Sequence, residues 1–188
     1  MIPDFIEIFD NMLTHEECEN IINYINTSKL RKGSFGRVES GNLTVRPDIK
    51  DSWEIGENLE NPTPINKIIE KALKKSVAEY WLKHPQIKHI RDWGPDLEYN
   101  LQKYNPEQGY HKLHCENAGG GSNRMLVWMI YLNTVTDGGG TYFENYDRIT
   151  DAVEGRCVLW PPYWTHFHKG IVSNTQTKYI ATGWFETD

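Results

Sequence analysis

The stretch Tyr104-Asn105-Pro106-Glu107-Gln108-Gly109-Tyr110-His111-Lys112-Leu113-His114-Cys115-Glu116 closes on a His-x-Glu pair. On an extended chain, side chains two apart project from the same face, so His114 and Glu116 stand side by side on one strand. Cys115 then points the other way and reads as packing. His111, three residues before His114, falls on the opposite face of a regular strand. An imidazole beside a carboxylate is a ready pair of metal ligands.

That pair is two-thirds of a facial site, in which two histidines and one carboxylate occupy one side of a metal and leave the opposite positions open. The second histidine has to come from further along. The segment Trp160-Pro161-Pro162-Tyr163-Trp164-Thr165-His166-Phe167-His168-Lys169-Gly170 offers His166 and His168. Read as a strand, it puts both on one face, so alternation does not separate them. Of the seven histidines in the chain, His15, His84 and His89 have no such setting and read as ordinary polar residues.

Outward from these segments, the chain divides into a helical first half and a β second half. Residues 4–9 alternate loosely, as an edge strand does. Thr14-His15-Glu16-Glu17 is a capping box, and Cys18, Ile21, Ile22 and Ile25 follow at helical spacing, which predicts a helix of about three turns. Between Ser28 and Asn61 the pattern weakens. Gly33, Gly36 and Ser40-Gly41-Asn42 punctuate polar runs, which suggests a hairpin or mobile loop. Thr63-Pro64 starts a second, longer helix with Ile65, Ile68, Ile69, Leu73, Val77 and Tyr80 or Trp81 on its apolar face. Gly94-Pro95 breaks the chain, and strands dominate from about residue 97. Met125 to Asn133 is apolar on both alternating sets, with Met125, Val127, Met129 and Tyr131 opposite Leu126, Trp128, Ile130 and Leu132. Such a strand is covered on both sides. Glu154-Gly155 turns into a further strand over 156–160, and Lys178 to Phe185 is another. No repeat or linker marks a second domain.

Bulk properties exclude several functions. The chain has 188 residues, enough for one domain with a substantial core, and no apolar run long enough for a membrane span. Its first ten residues carry acid where a signal peptide carries base, so a cytoplasmic setting is expected. Three cysteines, Cys18, Cys115 and Cys157, are too few and too scattered for a disulfide scaffold or a cysteine zinc site. With net charge −6, a broad nucleic-acid footprint is not expected, because phosphate neutralisation needs clustered Lys and Arg.

Taken together, Tyr104, His114-x-Glu116, His168-x-Gly170, Lys178 and Trp184 resemble the 2-oxoglutarate- and Fe(II)-dependent dioxygenases, in particular the prolyl 4-hydroxylase-like branch. There a Tyr precedes His-x-Asp by some ten residues, and a distant His-x-Gly is followed ten residues on by Lys or Arg and then by Trp. Asp137-Gly138-Gly139-Gly140-Thr141-Tyr142-Phe143 is similar to the family's Gly-Gly-x-Thr-x-Phe turn. One departure stands out: Glu116 occupies the position of the family's Asp, and its extra methylene moves the carboxylate by about one C–C bond.

The resemblance implies a mainly β fold with flanking α, a double-stranded β-helix (a jelly-roll, cupin-like barrel) backed by N-terminal helices. Residues 1–188 form one domain, with 1–95 as helical support and lid loops and 96–188 as the barrel core. His114, Glu116 and His168 become the ligands of Fe(II), with His166 near the entrance. 2-Oxoglutarate and O₂ are the cosubstrates, with ascorbate as an aid to keeping the iron reduced. Lys178 shares a strand face with Ile180, Thr182 and Trp184. If that face looks into the barrel, its ammonium is buried and needs a partner, which the far carboxylate of 2-oxoglutarate supplies. Lysine lacks arginine's bidentate fork, so hydroxyls are expected to help: Tyr104 and Tyr131 by the resemblance, with Thr182 and Thr141 as weaker candidates. Trp184 is expected to line the wall beside the iron.

The implied reaction is hydroxylation of an unactivated C–H bond, foremost of proline in a peptide or protein. A free amino acid or other small metabolite fits the same chemistry, and a nucleobase is disfavoured by charge. Outside that chemistry, His/His/Glu also suits zinc in a cupin-like hydrolase or a non-catalytic metal-binding module.

Overall fold

The computed structural model describes residues 3–37, 43–90, 92–117 and 123–187. The expected turn at Ser40-Gly41-Asn42 lies outside the described residues. Strand β1 (Glu7–Phe9) leads into helix α1 (His15–Thr27). Thr14 caps that helix through a reciprocal pair: its hydroxyl accepts from Glu17 N, and the Glu17 carboxylate accepts from Thr14 N. Short strands β2 (Arg31–Lys32), β3 (Phe35–Arg37) and β4 (Leu43–Thr44) precede β5 (Trp53–Asn58). Helix α2 (Pro64–Lys83) starts at Thr63, with Pro64 in the first turn where no amide partner is needed. The remaining strands are β6 (Trp93–Pro95), β7 (Glu98–Tyr104), β8 (Arg124–Tyr131), β9 (Thr141–Phe143), β10 (Arg148–Thr150), β11 (Cys157–Trp160), β12 (His168–Gly170) and β13 (Lys178–Thr187).

Among the described residues, the large sheet has eight strands in the order β1-β11-β8-β13-β7-β5-β2, with β6 pairing the end of β13, and a smaller sheet runs β10-β9-β12. All pairings are antiparallel. This is the expected jelly-roll with two helices against one sheet. Strand β8 shows why. Leu126, Trp128 and Ile130 pack under the helices with Ile21, Ile25, Ile69 and Leu73. Val127 and Tyr131 face the other way, into a second cluster with Tyr104, Phe143, Trp160 and Ile180 between the sheets. Each fully buried large side chain there contributes on the order of 1.5–3 kcal/mol over exposure, so the two-sided strand anchors both layers.

Four expectations are corrected. The stretch 28–61 is more than a loop: β5 pairs with β7 over six residues, Trp53↔Lys103 to Asn58↔Glu98, and joins the main sheet. Its polar sequence reflects one face turned to the cavity. Gly94-Pro95 does not break the chain before the strands but lies in β6, tied to Phe185 and Glu186 at a sheet edge, where a proline without N–H is tolerated. The buried face of α2 is Asn66, Ile69, Ala72, Leu73, Ser76 and Tyr80. It is wider than the expected stripe: Ile65, Ile68 and Val77 pack half-buried against the same core, and the face extends to Asn66, which bonds Asn58 O and Asn61 O (both 2.8 Å) and accepts from Tyr99 Oη. Finally, Met125 does not share the inner face of β8. The register of β8 against β13 shifts between Phe185 and Glu186, so Met125 packs on the helix side and Arg124 turns inward. Among the described residues, no helix is long and apolar enough to cross a membrane.

Candidate metal centre

His114 and Glu116 do not lie in a regular strand. The segment is irregular, but a two-way bridge fastens it: His114 N donates to His168 O at 3.0 Å and His168 N to His114 O at 2.9 Å. That bridge aligns the two imidazoles, whose ring centroids are 4.3 Å apart. Glu116 Oε1 lies 3.5 Å from His114 Nε2 and 3.6 Å from His168 Nε2. Ligand atoms of all three fall within 4.8 Å of one another. Metal bonds of about 2.1 Å opening at roughly 90–110° hold neighbouring donors about 3.0–3.4 Å apart, close to the 3.5 and 3.6 Å that separate Glu116 from the two imidazoles.

The tautomers fit the same purpose. His114 Nδ1 is 2.9 Å from Lys112 O, and His168 Nδ1 is 2.9 Å from His166 O. Each Nδ1 therefore donates to a carbonyl, which leaves each Nε2 as the atom that faces Glu116. Burial opposes ionisation of Glu116, but hydrogen bonding and charge from His114 and His168 outweigh it and hold its carboxyl well below the ordinary range. Burial lowers the affinity of His168 for a proton. A carboxylate with two imidazoles is the donor set a divalent cation takes, so these residues fit Fe(II). Tyr110 stacks on His114 with centroids 3.7 Å apart.

His166 lies elsewhere. Residues Trp164–His166 form a 3-10 turn, so His166 and His168 do not share a strand face. His166 Nε2 sits 2.7 Å from Asp4 O and its Nδ1 2.9 Å from Thr165 Oγ1, away from the cluster. His111 is exposed, and Cys115 is buried.

A cavity of about 1000 Å³ opens from the three ligands along the large sheet. Lys178 lines it, 5% exposed. Its Nζ is 4.6 Å from the ring centroid of Tyr104, its direct cross-strand partner. No carboxylate among the described residues pairs with it, and desolvation lowers its pKa from 10.5 to about 8. Tyr104 Oη donates to Gln102 Oε1 at 2.6 Å, and Gln102 Nε2 reaches Glu54 Oε2 at 3.4 Å. Glu54 is in turn held by Lys50 at 2.8 Å in a buried ion pair. Thr182 lines the cavity, but its hydroxyl donates to Trp128 O at 2.9 Å. Tyr131 is fully buried behind the wall, its Oη shared with Thr141 Oγ1 at 2.8 Å and Thr150 Oγ1 at 3.2 Å. Its expected cosubstrate contact is thus replaced by an internal one, while Thr141 itself lines the cavity.

Sequence reasoning missed Gln102, Glu54, Lys50 and Arg124. The first three sit in or beside the pairing of β5 with β7, and β5 lay in the stretch read as loop. Arg124 turns inward only through the β8–β13 register shift. Its one legible signal is a lone cation opening an otherwise apolar strand.

Comparisons agree with this geometry. Residues 99–186 match the model of the 2OG-Fe(II) oxygenase superfamily. A search of curated proteins finds no match. Among solved structures, the chain is similar to the viral collagen prolyl hydroxylase of Paramecium Bursaria Chlorella virus-1 in its 2OG complex, with 19% identity, 98% of this chain and 97% of that chain covered, and a TM-score of 0.71. It is similar to a Pseudomonas putida prolyl-4-hydroxylase at 14% identity, covering 98% and 94%, with a TM-score of 0.72. A third, a Trichoplax adhaerens prolyl hydroxylase in complex with a hypoxia inducible factor oxygen degradation domain peptide fragment, gives 15% identity, coverage of 97% and 84%, and a TM-score of 0.71. At such identities these likenesses establish the fold. The match to the 2OG-Fe(II) oxygenase superfamily model, over residues 99–186, spans His114, Glu116, His168 and Lys178.

Proposed function

We propose that this protein is an Fe(II)- and 2-oxoglutarate-dependent dioxygenase that hydroxylates an unactivated C–H bond, foremost of proline in a peptide or protein. The observation that carries the reading is the pairing, in one cavity, of the His114–Glu116–His168 cluster with a buried Lys178 that has no anionic partner among the described residues. Bound Fe(II), with 2-oxoglutarate and O₂ as co-reactants, supplies oxidation of a C–H bond to an alcohol, with succinate and CO₂ as the other products.

The chain's own residues bind, orient and exclude water. His114 Nε2, His168 Nε2 and Glu116 Oε1 would hold the metal, at the end of the cavity that Lys178 also lines. Lys178 meets the far carboxylate of 2-oxoglutarate, an interaction strengthened by the dry setting that makes an unpaired ammonium costly. Tyr104 flanks it, its hydroxyl oriented by Gln102. Val127, Met129, Ile180 and Trp160 give this end of the cavity an apolar wall. A peptide substrate is supported by the similarity to prolyl hydroxylases, one of them in complex with a peptide fragment. The reading takes 1–188 as one catalytic domain, because β2 and β5 hydrogen-bond into the same sheet as β7. Three free, buried cysteines fit a reducing, cytoplasmic setting.

The test is succinate release from 2-oxoglutarate by purified protein with Fe(II) and ascorbate, with and without proline-containing peptides. The expected result is peptide-dependent succinate and a peptide heavier by one oxygen atom. Turnover stimulated only by free amino acids would move the substrate to small metabolites. Tightly bound zinc with no 2-oxoglutarate consumption would overturn the reading in favour of a hydrolase or binding module.

A further inference from the structure

Glu116 uses only one of its carboxylate oxygens toward the two imidazoles. The other, Oε2, accepts a hydrogen bond from Trp184 Nε1 at 3.0 Å. The guanidinium of Arg124 lies 3.7 Å from the centroid of that same indole. Arg124 Nη1 donates to Glu116 O at 3.2 Å and sits 3.5 Å from Glu116 Oε2. On its far side, Arg124 Nε is 3.6 Å from Glu186 Oε1. Glu116 is thus gripped at its backbone and its outer oxygen by residues of β8 and β13. The grip exists because of the shifted register that pairs Trp184 with Val127 but Glu186 with Arg124, which brings Arg124 to the inner face. A carboxylate on two methylenes has one more free torsion than aspartate and several ways to present its oxygens. Something must select one.

We propose that Trp184 and Arg124 are positioning residues that fix which oxygen of Glu116 faces the metal, and that the site depends on glutamate's length because the carboxylate must span from the two imidazoles to the indole. This rests on the reading of His114, Glu116 and His168 as metal ligands. The indole N–H is a single donor with no acceptor character, so it orients Oε2 without competing for the ion. Arg124 stacks on the indole face and limits its rotation. A carboxylate shorter by one methylene at 116 cannot serve both ends.

The test is anaerobic titration of purified protein with Co(II), read by its visible ligand-field absorption and by affinity, without cosubstrate or turnover. His168→Ala is the control on the underlying reading. If it binds Co(II) like the parent, the metal reading itself is wrong. With that control passing, Trp184→Phe is expected to weaken Co(II) binding about tenfold or more, in the range typical of groups that support metal ligands, and to change the ligand-field spectrum. Glu116→Asp is expected to weaken it similarly in the parent, but by much less in the Trp184→Phe background, because the span to the indole no longer matters. Arg124→Lys, which keeps the charge but loses the planar stack, is expected to weaken binding severalfold, and it answers the question if Trp184→Phe does not fold. Parent-like affinity and spectrum in both Trp184→Phe and Arg124→Lys, or independent multiplication of the Glu116→Asp and Trp184→Phe losses, would overturn the proposal and leave the metal reading standing.

Discussion

Buried Lys178 carries a stability cost that the proposed contact with 2-oxoglutarate would offset. Its ammonium is buried against the face of Tyr104 and has no carboxylate partner among the described residues, so with no anion bound its charge is a cost. Its pKa is lowered to about 8 from 10.5, so between those values the unfolded chain binds more protons than the folded one. Stability then rises with pH across that window, and below about pH 8 the full penalty is present. Thermal melts of Lys178→Met without cosubstrate should therefore show a Tm higher than the parent's by roughly 2–8 °C at pH 7. The difference should shrink toward pH 10, and a Tm gap that stays constant with pH would contradict this account. The same substitution should raise the 2-oxoglutarate concentration needed for half-maximal turnover about tenfold to a hundredfold, the worth of a charge-assisted contact. Glu116→Ala or His114→Ala should instead abolish metal binding and turnover together. The His114–Glu116 pair was legible from its spacing, and Lys178 from its strand face together with the family resemblance. Tyr131 was singled out by its place in the chain, and neighbours in space, Thr141 and Thr150, took its hydroxyl.

At the scale of elements, strand β13 is the shared wall, pairing with β8 and β7 along its length and with β6 at its end. Gly183 allows this close fit. A Cβ there would meet Trp128 Cζ2 at 2.7 Å and Cε2 at 2.9 Å, and Trp128 is fully buried with no room to retreat. Gly183→Ala should cost about 2 kcal/mol through overpacking and lower Tm by roughly 4–8 °C, measured by calorimetry. A parent-like Tm would mean that the indole can move. The apolar pattern of β8 and the capping box of α1 could be read directly, because they follow from local periodicity and local hydrogen bonding. The register shift that turns Arg124 inward and Met125 outward could not. Register is settled by how two distant strands share bonds, and the residues of one strand carry no record of it.

For the molecule as a whole, the ligands come from two segments that meet only when the small sheet closes over the large one through the His114–His168 bridge. Metal that binds only the folded state must therefore stabilise it. At a concentration a hundred times its Kd, the gain is about 2.7 kcal/mol, a Tm rise of roughly 5–11 °C for a chain of this size. Scanning calorimetry with Co(II) or Mn(II), against a chelator, should show that rise in the parent and none in His168→Ala. Equal shifts in both proteins would point to binding outside the cluster, for instance where exposed His15 and Glu19 meet half-buried Glu154.

By itself, the sequence determined the class of fold, the position of both helices, the two-faced central strand and the pairing of His114 with Glu116. These are set by periodicities of two and 3.6 residues and by residue types with few alternative uses. Tertiary structure alone placed His166 away from the cluster, on a 3-10 turn that swings it to Asp4. It also decided the entry of β5 into the sheet, the Lys50–Glu54–Gln102–Tyr104 chain beneath the cosubstrate end, and the Trp184–Arg124 grip on Glu116. Each of these depends on which oxygen or ring comes within about 3 Å of a partner far away in the chain, a relation that exists only after the strands have chosen their neighbours.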